Sequence, residues 1–488
     1  MGKDLVDAAF SPQDRSGYRQ KVRRCLDVLA QLLDAGALDD GRSMTGLEIE
    51  LNLMDARAQP AMRNAEILAG LGDPLFQAEL GQFNLELNAR PRLIAGDGFA
   101  DYEYAIQEAL GRAEHRAQAA GSTIVMIGSL PTLTSEHLVL ANLSANERYR
   151  ALNAELAGAR GEQFSVDIRG VERLQTANDS IADEAACTSV QFHLQVAPSQ
   201  FAAYWNSSQA VAAIQVAVGA NSPYLHGREL WAETRIALFE QATDTRNAEL
   251  KAQGVPPRVW FGERWISSVL DLFEENVHYF PPLLPVLDPE DPVAVLAAGG
   301  TPQLGELRLH NGTVYRWNRP VYDGSAGKPH LRVENRVLPS GPTVIDMLAN
   351  AAFYFGLVRY LAEQEQPIWD KLPFAVAEDN FHVAARTGIA ASVYWPGAGD
   401  VEVTELVLRS LLPKACAGLE SYGVDPRHRD RLLGVIEGRC LGRRNGAVWQ
   451  AETVARAGGS RAAALSTMLL RYAELQGANL PVHLWPEV

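Results

Sequence analysis

The chain has 488 residues, with 44 basic and 59 acidic side chains and a formal charge of −15. At about 150 residues per domain this length suits two or three domains with a large core. The negative charge disfavours coating of DNA or RNA, so no nucleic-acid partner is expected, and any phosphate bound must be met by local arginine, lysine or metal.

The first twenty residues lack an apolar signal region, and Gly2 is followed by Val6 where a myristoylation pattern needs Ser or Thr. The longest apolar run, around Ala210 to Ala220, is too short and too broken by Gln and Gly to span a bilayer. A cytoplasmic protein with no membrane partner is the expectation. Cys25, Cys187, Cys416 and Cys440 are far apart and form no CxxC, which argues for reduced thiols rather than a zinc site or disulfides.

Residues 17–37 carry Val22, Leu26, Leu29, Leu32 and Leu33 at helical spacing, with Gly36 as a stop. In TGLEIELNLMD the apolar Leu47, Ile49, Leu51 and Leu53 alternate with Glu48, Glu50 and Asn52, the period of a strand with one polar face. Two carboxylates on that face repel each other unless water, a cation or a base compensates. FNLELN repeats the pattern with Asn84, Glu86 and Asn88, and Glu79 lies just upstream. VQFHLQV repeats it with Gln191, His193 and Gln195. GELRLHNGTVYRW reads as a strand with polar Glu306, Arg308 and His310, an Asn311-Gly312 hairpin turn and a return strand to Trp317. HLRVENRVL carries Arg332, Glu334 and Arg336.

Helical patterns fall at about 99–120, 145–158, 208–221, 226–252 and 342–365, and Pro281 to Gly305 reads as a long loop of the lid or binding type. After about residue 395 the pattern is mainly helical. The divisions expected are a helical lead-in over 1–40, a catalytic domain over 41–395 and a helical region over 396–488 packed on the core. Without a strict βαβ rhythm, the expected class is α+β with a mainly antiparallel sheet.

One alternating strand ordinarily faces solvent. Five whose polar faces hold Glu, His, Gln, Asn and Arg suit a divalent metal and an anionic ligand, if a curved sheet gathers them into one concavity. Glu48, Glu50, Glu79, Glu86 and Glu334 are candidate Mg²⁺ ligands, and arginines beside them would neutralise a transferring phosphoryl group, which points to ATP. No GxxxxGK[ST] or GxGxxG loop is present, so metals and side chains would hold the nucleotide, with Arg308 and His310 as candidates. His193 reads equally as a ligand or as a hydrogen-bonded structural residue. Arg332 and Arg336 read either as ion-pair partners of Glu334 or, preferred here, as contacts to a substrate carboxylate or phosphate. Cys187 beside the histidine strand reads as a buried small hydrophobe.

The ordered set GLEIELNLMD, AELGQFNLELNARP, CTSVQFHLQV, ANSPYLHGRELWAETR, YRWNRPVYD and HLRVENRVLPSGPTVIDM resembles glutamate–cysteine ligase family 2, the bacterial carboxylate–amine ligases, over roughly residues 40–365. The resemblance implies a glutamine-synthetase-like sheet curved into a funnel, with ATP at one end and the amino acid at the other. It implies ATP- and Mg²⁺-dependent joining of the γ-carboxylate of L-glutamate to an amine, most often the α-amine of L-cysteine, through an acyl phosphate, with Mn²⁺ as a substitute metal. By position, Glu48 and Glu50 match the paired metal glutamates, Glu79 and Glu86 the second acidic strand, His193 the histidine strand, and Glu334 and Arg336 the E-x-R element. Arg228 and Arg235, read as a helix start, match basic groups near the substrate, or equally a helix surface paired with Glu229 or Glu233. Trp317 and Arg319 match a W-x-x-R turn. Gln191 stands where many relatives have His, and no motif fixes the acceptor. A homo-oligomer is allowed for. The rival readings are the same chemistry on another amine, a hydrolase that uses these carboxylates to activate water, and a regulatory protein on a degenerate ligase scaffold.

Overall fold

A computed structural model describes residues 10–41, 43–325 and 327–486. Gly2 and Val6 lie outside the described residues.

Seven strands form the main sheet: β1 (Thr45–Met54), β2 (Phe76–Ala78), β3 (Asn84–Arg92), β4 (Thr123–Val125), β5 (Ser189–Val196), β6 (Asn318–Asp323) and β7 (His330–Pro339). Their order is β6-β7-β5-β1-β3-β2, with β4 paired to the far end of β1, and every pairing is antiparallel. The sheet is a curled antiparallel half-barrel, and helices pack on its outer side.

The alternation dictates which face is covered. Leu47, Ile49, Leu51, Leu85, Phe192, Leu194, Leu331 and Val333 are all buried, toward the helices Phe201–Gly219 and Val344–Ala362. Phe192 stacks on Tyr354 with ring centroids 6.0 Å apart. A closed amide network ties the covered face to its helix: Gln215 Nε2 donates to Asn335 Oδ1 at 3.0 Å, and Asn335 Nδ2 donates to Asn318 Oδ1 at 2.7 Å. Buried amides satisfied in this way fix one register, because a one-residue slip would strand them.

The leading helix spans Pro12–Asp34, begins on a capping box at Ser11 and Asp14, and stops before Gly36, whose φ of 61° suits glycine. Tyr18 on this helix donates to the Glu306 carbonyl at 2.8 Å. After Glu402 the chain is helical, through Leu412–Ser421, Pro426–Gly442, Gly446–Arg456 and Arg461–Gly477.

Four expectations need correction. Residues Gly305–Asn311 form a short helix rather than a strand, and Gly312 ends that helix instead of turning a hairpin. Over seven residues the same polar positions fit a helix face, since Glu306 and His310 are four apart. Residues 226–252 are not one helix: Arg228–Glu229 bridge back to Tyr224–Leu225, and separate helices follow at Thr234–Ala242 and Ala248–Ala252. The loop over 281–305 contains the helix Pro292–Ala297. Finally, the stretch long and apolar enough to cross a membrane is not Ala210 to Ala220 but Val344–Ala362, inside the helix read at 342–365, and 89% of its apolar window is buried within this fold.

Candidate active site

Strand register brings the polar residues together. Gln191 and Asn88 flank Glu48, Glu86 lies opposite Glu50, and Glu334 lies opposite His193 and Arg319. Directly opposed residues have Cβ atoms about 5 Å apart, so these side chains interact on the concave face. Gly46 lies opposite His193, where a Cβ would sit 3.4 Å from that of the histidine. A register shift between Asn335 and Leu338 lies beside Arg336, as bulges commonly do at sites that re-aim a side chain.

Glu334 is held on both oxygens. Arg336 Nη1 donates to Oε1 at 2.6 Å, and Arg319 Nη2 donates to Oε2 at 2.9 Å. Burial works against its ionisation, yet Arg319 and Arg336 together hold its carboxyl well below the usual range. Arg336 also donates to Gln191 Oε1 at 2.5 Å, and Gln191 Nε2 donates to Glu50 Oε1 at 2.9 Å. Gln191 therefore links the cationic and acidic halves of the site.

The second group surrounds His193. Arg332 Nε donates to His193 Nδ1 at 3.2 Å and Arg332 Nη1 to Asp323 Oδ2 at 2.9 Å. His193 Nε2 is 2.9 Å from Glu48 Oε1 but makes no aligned hydrogen bond, so this buried nitrogen lacks a full partner. Burial would raise the Glu48 carboxyl, but His193 outweighs it and the net shift is downward.

The opposite wall is acidic. Burial pushes Glu50 up to about 7 against the pull of Arg336. Burial also raises Glu79, and raises Glu86 strongly, and these two carboxyls share a hydrogen bond. Gln77 Nε2 donates to Glu86 Oε1 at 2.9 Å. Crowded carboxylates that resist ionisation are what a divalent cation relieves, and an oxygen-only donor set suits Mg²⁺. Two sets of residues fit: Glu50, Glu79 and Glu86, and Glu48 with Glu334, beside which His193 Nε2 lies 2.9 Å from Glu48 Oε1. Among the described residues no three such groups already lie close enough to bind a metal as they stand.

Three cavities, of about 710, 550 and 840 Å³, meet at Glu48, which lines all of them. The first has an apolar wall of Met44, Leu75 and Pro91 and a basic rim of Arg90, Lys328 and Arg332. The second holds Arg148, Arg308, Arg319 and Arg332. The third holds Glu50, Glu79, Glu86, Arg336 and Arg235.

Among residues singled out from sequence, Glu48, Glu50, Glu79, Glu86, Gln191, His193, Arg319, Arg332, Glu334 and Arg336 converge here, and Arg308 lines the second cavity. Arg235 reaches the third cavity while bound to Glu233 Oε1 at 3.1 Å and to the Val337 carbonyl at 2.6 Å. Trp317 is buried behind it, with the Arg235 guanidinium 5.6 Å from its ring centroid, so it supports the site from outside the cavities. Two residues stand apart. Arg228 is about half exposed and lies 3.8 Å from Glu172 on the surface. His310 turns away from Arg308, with Nε2 2.8 Å from the Asn276 carbonyl, and burial lowers it to about 4. Sequence reasoning missed Arg148, Glu184 and Asp323, which also line the cavities. Only the Asp323 position, at the end of a strand paired to β7, carried a readable signal.

The family match places the chain among the ATP-dependent ligases that join a carboxylate to an amine. It belongs to glutamate-cysteine ligase family 2, whose profile matches residues 44–450. A search of curated proteins found no match. Among solved structures, the glutamate–cysteine ligase of Francisella tularensis in complex with AMP superposes with a TM-score of 0.54 at 11% identity, covering 90% of each chain. A bifunctional glutathione synthetase from Pasteurella multocida gives 0.52 at 12% identity, over 93% of this chain and 55% of that one. At these identities the likeness is one of fold.

Proposed function

We propose that the protein joins the γ-carboxylate of L-glutamate to an amine, with the α-amine of L-cysteine as the leading acceptor, through an acyl phosphate made from ATP. The observation that carries this reading is Glu334, gripped on both oxygens by Arg319 and Arg336 and linked through Gln191 to the acidic wall of Glu50, Glu79 and Glu86. Phosphoryl transfer needs fixed positive charge and metal-holding carboxylates around one point, and little else from the protein.

The cavity with the apolar wall and basic rim suits a nucleotide, with Met44 and Leu75 against a base and Arg332 toward phosphates. Arg148 and Arg308 add charge in the second cavity. The third would take the carboxylate and amine substrates. Bound Mg²⁺, held by the two carboxylate sets, would offset phosphate charge during transfer. Arg336 and Arg319 stabilise the charge that develops on the transferring group and orient Glu334, while Gln191 fixes Arg336 relative to Glu50.

The test is ADP release from ATP and Mg²⁺ with L-glutamate, with and without each of a panel of amines, with the product read by mass. The expected result is ADP only when glutamate and an amine are both present, with a product equal to the two joined minus water. Amide or phosphate-ester hydrolysis with metal alone, and no nucleotide turnover, would overturn the reading in favour of a hydrolase.

A further inference from the structure

Glu184 sits on the short 3-10 turn Ile181–Ala186, just ahead of β5, and lines the largest cavity with Glu50 and Arg336. Its Oε2 is buried and has no hydrogen-bond partner among the described residues. The guanidinium groups of Arg336 and Arg235 are already committed, the first to Glu334 and Gln191 and the second to Glu233 and the Val337 carbonyl. Glu184 therefore faces the cavity with no ion-pair partner among the described residues, and Arg148 and Arg319 are the other cations on its wall. Burial therefore favours its neutral form, and an ammonium group bound beside it would stabilise the carboxylate.

The wall around it is aromatic. Tyr149, Phe239 and Tyr315 line the same cavity, and Phe239 meets Tyr315 edge-on at 5.3 Å between ring centroids. A carboxylate in a cavity that also has aromatic faces suits an ammonium group, which gains an ion pair from the first and cation–π attraction from the second.

We infer that Glu184, with Tyr149, Phe239 and Tyr315, receives the ammonium of the acceptor and takes up the proton that the amine must lose. This rests on the ligase reading above. The acceptor enters as R–NH₃⁺ and gives one proton to the Glu184 carboxylate. The freed nitrogen lone pair forms the C–N bond at the acyl carbon, and the C–O bond to phosphate breaks with its electron pair leaving on phosphate. The second nitrogen proton goes to the departing phosphate, and the Glu184 proton then returns to solvent. The substrate class is thus a primary amine that is charged at neutral pH.

The test compares L-cysteine with hydroxylamine, an acceptor that is neutral at pH 7.5 and captures acyl phosphates as hydroxamates. For wild type, glutamate-dependent ADP or hydroxamate formation tests the ligase reading alone, and its absence overturns that reading. Given wild-type turnover, Glu184→Gln is expected to lower kcat/KM for cysteine at least tenfold more than for hydroxylamine, chiefly through KM for the amine, with Glu184→Asp recovering part of the loss. Equal losses for the two acceptors, or a cysteine KM within threefold of wild type, would overturn the inference. Should Glu184→Gln fail to fold, Glu184→Asp decides the matter by the same ratio, since shortening the carboxylate must still penalise cysteine more than hydroxylamine.

Discussion

Arg332 donates from Nε to Nδ1 of His193 at 3.2 Å, a bond that leaves the histidine proton on Nε2, facing Glu48. Three strands thus set one imidazole: β5 carries it, β7 fixes its tautomer, and β1 supplies the carboxylate.

His193→Ala is therefore expected to weaken Mn²⁺ binding, read by calorimetry or electron paramagnetic resonance, by about 10- to 100-fold, the usual effect of losing a residue that orients a metal ligand. A lowered thermal midpoint with full metal affinity per folded molecule would instead make His193 a structural residue.

Glu86→Gln separates stability from activity. Glu86 shares a hydrogen bond with Glu79 and stands opposite Glu50, and burial raises all three carboxyls. The neutral amide keeps a partner for Gln77 and removes a group that resists ionisation, so the metal-free protein should gain about 1 kcal/mol. Mg²⁺-dependent ADP release should be lost at the same time. A destabilised metal-free variant, seen in urea titration, would contradict the crowding argument.

The pH dependence of stability has a definite sign at Glu184. Burial lifts its carboxyl from 4.5 to about 8, so between those values the folded chain binds more protons than the unfolded one. Its contribution is retained below pH 4.5 and lost as pH rises toward 8, by an amount on the order of a few kcal/mol at most. Melting curves of the metal-free protein across this range should fall less steeply for Glu184→Gln than for wild type. Parallel curves would mean that water or a local rearrangement already solvates the carboxylate.

Arg308 and Arg228 should respond in opposite ways. Arg308 lines the second cavity with no ion pair among the described residues, so Arg308→Ala is expected to weaken Mg·ADP binding about tenfold at little cost in stability. Arg228 is a surface residue 3.8 Å from Glu172, and exposed pairs contribute little, so Arg228→Ala should keep turnover within twofold. Calorimetric titration of both variants checks the contrast, and equal losses would refute the placement of the two arginines.

Four of the five strands read from alternation are present, and they carry most of the site. Glu48, Glu50, Glu86, His193, Glu334 and Arg336 were legible because a half-buried strand must alternate, so the sequence marks which residues share a face. The short helix Gly305–Asn311 was not legible, since seven residues satisfy both periods and Asn311-Gly312 suits a hairpin and a helix end alike.

By itself the sequence determined the polar and apolar faces, the acidic and arginine-rich character of the site and the family, all of which are local patterns held in order along the chain. The tertiary structure alone decided that β1 lies between β5 and β3, that Arg319 and Arg336 grip one carboxylate, that Arg228 stays outside, and that Arg148 and Glu184 come in. The reason is physical: Arg148 lies on a helix and Glu184 on a 3-10 turn, where no period marks a cavity-facing side chain. Their roles come from segments far away in the chain, brought near only when the covered apolar face closes on its helices and curls the sheet around its polar side.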